Sequence, residues 1–120
     1  MPEFTPAPVK PLVPTSALDA LDIRVGRILE VHDVPRSDKL VRMIVSFGDH
    51  RRTVLCGLKQ ERADPAALVG RQTLFVVNLE PRKLSGAVSE AMLFDVGYAD
   101  GVTPALTALE REMPDGARAG

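Results

Sequence analysis

An all-β fold, a small barrel of five short strands with one short helix between the third and fourth, is the class this 120-residue sequence predicts. Two observations lead to it. Short runs rich in Val, Ile, Leu and Thr alternate apolar with polar residues, and Gly, Pro, Asn and Asp cluster between the runs. Hydrophobic residues make up 45% of the chain but aromatics only 4%, with no Trp and one Tyr, so the core is expected to be aliphatic.

Residues 1–16, MPEFTPAPVKPLVPTS, hold five of the ten prolines and show no apolar periodicity, so they read as a disordered or extended arm outside the folded unit at 17–120. Ser16 with Asp19 three residues on suggests a capping box and a short helix over 17–21. The first strand is expected over 23–34, with Ile23, Val25, Leu29 and Val31 sharing one parity and Gly26 marking a bulge or bend. PRSD at 35–38 has turn chemistry. The second strand, 39–47, alternates clearly: Val41, Met43, Val45 and Phe47 on one face, Leu40, Arg42, Ile44 and Ser46 on the other. That second face is half apolar and is expected to be covered.

Gly48-Asp49-His50 turns the chain into a third strand, 51–55. Asp64 before Pro65 is the pattern of an N-cap with proline at the first helical position, and Gly70 ends that short helix. Strands four and five are expected over 72–77 and 89–96, joined by a basic corner at Arg82-Lys83 with a turn at Gly86. Residues 104–109 read as a further strand or turn. This order is that of a Greek-key oligonucleotide/oligosaccharide-binding (OB) barrel with short flanking elements at both ends, although a small β-sandwich or an SH3-like barrel fits the same counts.

Composition limits the function classes. The formal net charge is −1, but the stretch from Arg24 to Lys83 holds twelve Lys or Arg against seven Asp or Glu, net +5, while both flanks are acidic. Local potential, and not the average, governs contact with phosphate. The single Cys56 forms no intrachain disulfide, which suits the cytoplasm, and between Leu55 and Gly57 it reads as a packing residue. With His32 and His50 it makes no metal-ligand spacing and no oriented nucleophile–base pair, and no Gly-rich phosphate loop is present. No cofactor, metal or catalysis is indicated. No apolar run reaches the roughly twenty residues that span a bilayer.

The segments DIRVGRI (22–28), SDKLVRMIVSFG (37–48), TVLCGL (53–58), LVGRQTLFVVNLEPRKLSG (68–86) and SEAMLF (89–94) closely resemble the tRNA-binding domain found at the carboxy terminus of many methionyl-tRNA synthetases. Similar domains occur in endothelial monocyte-activating polypeptide, phenylalanyl-tRNA synthetase β-chains and free-standing CsaA-type proteins. The resemblance implies an OB barrel that binds tRNA by structure and backbone, without catalysis, acting alone or as a helper of a synthetase in trans. It nominates Lys39 and Arg42 from SDKL, Asn78, Arg82 and Lys83 from NLxPRK, and Ser89 and Met92 from SxxM. The four cations would meet phosphates, Asn78 and Ser89 hydroxyls or base edges, and Met92 an unstacked base. Ala91 stands where relatives commonly carry glycine, so its methyl is expected to limit close approach by a ligand. Free-standing relatives are homodimers joined through segments matching 16–21 and 107–120. A chaperone that binds unfolded or exported polypeptide, as for CsaA-type relatives, is the alternative.

Overall fold

Valine-rich alternation does produce a twisted antiparallel sheet. The computed structural model describes residues 3–120. Its strands are β1 (Ile23–Asp33), β2 (Val41–Ser46), β3 (Arg51–Cys56), β4 (Gln72–Val76), β5 (Arg82–Leu84), β6 (Ala87–Ser89), β7 (Met92–Leu93) and β8 (Arg118–Ala119). The main sheet runs β3-β2-β1-β4-β7, with β8 added to β1, and β5 and β6 form a separate hairpin. A 3-10 turn at Pro65–Leu68 lies between β3 and β4, where the Asp64-Pro65 pattern predicts a short helix, but Asp64 makes no side-chain capping bond; Gly70 follows at φ +92°. Five antiparallel strands with that interposed turn form a nearly closed barrel.

The core is aliphatic. Val41, Met43, Val45 and Phe47 are all buried, as the alternation predicts, and pack with Ile28, Val54, Leu58, Leu68 and Phe75. Each fully buried side chain of this size contributes about 1.5–3 kcal/mol. On β1 the simple parity fails. The register against β2 slips between Ile28 and Glu30, so Leu29 is the bulged residue. Ile28 therefore enters the core on one side of the bulge and Val31 on the other. Gly26 is no bulge. It pairs regularly with Thr73, and a Cβ there would lie 2.6 Å from Val45 Cγ1 and 2.7 Å from Phe75 Cδ1, so the backbone needs the missing side chain in order to close over the core.

Three further expectations change. The amino-terminal helix is a 3-10 turn over Thr15–Ala20 whose first N–H bond runs from Ala17 to the Pro14 carbonyl, 2.9 Å. Ser16 is thus already inside the turn and makes no capping bond. The fifth strand is not continuous: Ser89 closes the β5–β6 hairpin and Met92 opens β7. Between them, side chains replace the ladder. Ser89 Oγ accepts from the Leu55 N–H at 3.0 Å, Glu90 Oε1 accepts from the Thr53 N–H at 2.9 Å, and the Glu90 N–H donates to the Thr53 carbonyl at 2.8 Å. The β3 edge is sealed by these bonds. Arg82 and Lys83 accordingly sit in a strand of their own.

Residues 3–14 have no regular secondary structure and are exposed throughout. At the other end the chain returns along β1, where Gly116 N–H donates to the Val25 carbonyl at 2.7 Å and Val25 N–H to the Ala117 carbonyl at 2.8 Å. Arg27 pairs with Glu112 and Asp115, and the Gln72 side chain bonds Met113 and Asp115. This tail covers the part of β1 that β2 does not reach.

Candidate nucleic-acid interface

Cross-strand partners share a face, so the register locates the nominated cations. Arg42 pairs with His32 on one side and Leu55 on the other, which places it on the outer face of the β1–β2–β3 sheet. Leu40 precedes it on the same face and is buried. The half-apolar outer face is covered in part by the β5–β6 hairpin of the chain itself: Ser89 bonds the Leu55 backbone and pairs with Arg82. Arg42, Leu55, Ser89 and Arg82 are thereby successive neighbours.

Along this face runs an open groove of about 560 Å³. Leu40, Leu55 and Leu84 form its apolar floor, Lys39 and Arg82 its cationic part, and Met92, Phe94 and Tyr98 its rim. A smaller depression of about 130 Å³ continues it, sharing Leu55, Arg82, Leu84 and Met92 and adding Ser89 and Ala91. Tyr98 is 73% exposed, and Met92 and Phe94 alternate with buried Leu93, so both point outward.

The nominated residues do not act alike. Lys39, Arg82 and Met92 meet in the groove, with Arg42 beside it on the sheet. Lys83 lines neither depression: it follows Arg82 in β5 and takes the opposite face of the hairpin, opposite Val88. Asn78 spends its amide on the protein, accepting from the Asp22 N–H at 2.7 Å and donating to the Ala20 carbonyl at 2.9 Å. Ser89 is buried and likewise occupied, with its hydroxyl bonded to Leu55 and to the Ala91 carbonyl. Ala91, expected to limit close approach by a ligand, lines the smaller depression. Ala91 is 8% exposed and packs in the hydrophobic core.

Sequence reasoning missed Phe94, Tyr98 and two acids in the groove, Glu61 and Asp95. Burial raises both carboxyls above the ordinary carboxylate range, and for Glu61 the Asp95 charge adds to burial. The Tyr98 signal was its being the only tyrosine; Glu61 and Asp95 gave none, because they are distant in sequence. Cys56, at the groove wall, is pushed up to about 12 by burial and is a neutral thiol at ordinary pH. No cluster of metal-ligating side chains occurs among the described residues.

Residues 23–118 match the family described as "Putative tRNA binding domain". A methionine–tRNA ligase of Phocaeicola vulgatus is 41% identical over 110 residues, covering 91% of this chain and 16% of the ligase. The chain therefore spans about a sixth of that relative. A MetRS-related protein from Pyrococcus horikoshii superposes with a TM-score of 0.83 at 31% identity, over 92% of this chain and all of the other. The chaperone CsaA of Bacillus anthracis superposes with a TM-score of 0.78 over 92% of this chain and all of its own, but at 22% identity, a likeness of fold alone.

Proposed function

The chain belongs to the tRNA-binding domain family, and from that premise we propose that it binds tRNA on the outer β2–β3 face, as a binding module without chemistry of its own. The observation that carries this reading is the convergence of Lys39, Arg82 and Met92 in one groove with Arg42 alongside. Cations there meet backbone phosphates, and Met92 and Tyr98 offer flat or polarisable surface to unstacked bases. Lys83, on the far face of the hairpin, extends the positive field. Asn78 and Ser89 contribute by holding the backbone that carries the cations. The likeness to part of a methionine–tRNA ligase supports a role as a helper of such an enzyme in trans, in the cytoplasm; no helix among the described residues is long and apolar enough to cross a membrane.

Replacing Arg82 and Lys83 together by Ala tests the reading. Filter binding of tRNA is expected to weaken about tenfold or more while the thermal midpoint stays within 2 °C of the parent, as for exposed side chains. Unchanged affinity would remove the face from consideration.

A homodimer belongs to the same proposal. Leu12 is 99% exposed, and Val9, Val13 and Leu18 are also exposed along the amino-terminal segment, an apolar surface suited to a second copy. Two groove-bearing faces on one particle would raise avidity for one large RNA. The apolar rim of Phe94 and Tyr98 also supports a second reading, binding of unfolded polypeptide. Suppression of aggregation that persists in excess tRNA would favour it.

A further inference from the structure

Beyond phosphate and generic stacking, the groove has a chemistry that neither explains. Glu61 and Asp95 line it along with Lys39 and Arg82, and neither acid makes an ion pair among the described residues. Arg62 is the cation next to Glu61 and leaves its carboxyl raised. In their ionised form these carboxylates repel phosphate, so they are poor partners for the RNA backbone. They accept hydrogen bonds, however, and a nucleobase edge donates them.

We propose that this groove takes one unstacked guanine of the bound RNA, with its Watson–Crick edge on the Asp95–Glu61 carboxylates and its ring against Tyr98 and Met92. The proposal rests on the tRNA-binding reading and adds a base preference to it. The polarity fits one nucleotide: Lys39 and Arg82 suit its phosphate, the Leu40–Leu55–Leu84 floor and the Tyr98 ring its base, and the acids its donors. Guanine is singled out by its two adjacent donors, N1–H and the 2-amino group, which one carboxylate accepts in parallel. Adenine and cytosine present one amino group there, and uracil one N–H. Asp95 is assigned as the principal acceptor, since it lies between Phe94 and Tyr98 in the chain and lines the groove with them and with Glu61. The volume of about 560 Å³ falls in the range of about 300–1,000 Å³ usual for small-molecule sites.

The test uses fluorescently labelled UUGUU, UUIUU and UUAUU pentanucleotides and intact tRNA, measured by anisotropy with the full chain. Inosine lacks only the 2-amino group. The guanosine pentamer should bind about tenfold tighter than the inosine and adenosine pentamers. Asp95→Asn should erase that ratio; Tyr98→Ala should weaken all three pentamers together. Equal binding of the three by the unaltered protein overturns the proposal while leaving tRNA binding intact. Failure to bind any RNA, tRNA included, overturns both. Preferential displacement of the pentamers by a reduced, unfolded polypeptide, with no guanosine preference, overturns it in favour of a peptide groove.

Discussion

At the residue scale, Asn78 has its side chain engaged by the protein's own backbone. Its amide ties the segment after β4 to the backbone of Ala20 and Asp22, so that the chain leaves β4 in a fixed direction toward β5. Asn78→Ala should cost about 1–2 kcal/mol, the loss of two bonds with partial water replacement, and lower the thermal midpoint by several degrees. Its effect on RNA affinity should follow from that loosening and be smaller than that of Arg82→Ala. Titration separates other residues. Asp22 is held below the usual carboxylate range first by its bond from Arg24, so its stabilisation is present above an unfolded value near 3.8 and is lost as pH falls through the folded value. Asp95 and Glu61 have the opposite sign: raised folded values mean stability is greatest below their unfolded values and declines as pH rises through the folded ones. Asp95→Asn should therefore unfold at a higher temperature than the parent at pH 7 and at the same temperature near about pH 3, where both side chains are neutral. Paired thermal melts at the two pH values check this, and an advantage that persists at low pH would point to packing instead.

At the scale of elements, β2 was legible because its whole alternation survives: Val41, Met43, Val45 and Phe47 all face the core. β1 was legible in extent but not in facing. A bulge at Leu29 reverses the parity midway, and no turn residue marks it in the sequence, whereas Gly26, which does look like a mark, is there for packing. Gly26→Ala should cost about 1–3 kcal/mol by driving a methyl into Val45 and Phe75. Denaturant melts would show it as a lower midpoint with an unchanged slope; a neutral result would contradict the close approach. The expected fifth strand failed for a different reason. Ser89 and Glu90 bond β3 through side chains, so the ladder breaks there and the Arg82–Leu84 and Ala87–Ser89 strands pair with each other. Ser85 and Gly86, both at positive φ, make the tight turn between them. The motif NLxPRK thus spells a hairpin, and its strand geometry sends Arg82 and Lys83 to opposite faces, which adjacency in sequence conceals.

At the scale of the molecule, a chain with net charge −1 presents a local cationic face because its basic middle forms the sheet and its acidic end folds back along β1. Glu112 and Asp115 neutralise Arg27 there, and leave Lys39, Arg42, Arg82 and Lys83 outside the ion pairs formed among the described residues. The resemblance in sequence named these four cations and Met92. It did not name the aromatic rim or the two acids, whose proximity is created only when β7 and the turn after β3 meet across the groove. The central claim is that this face holds tRNA through phosphate contacts, and the salt dependence of binding tests it most directly. With four such contacts at about 0.7 each, log K for tRNA should fall with log salt at a slope near about −3, and Lys39→Ala combined with Arg82→Ala should reduce it to about −1.5. An affinity independent of salt, or a slope that the double substitution leaves unchanged, would contradict it.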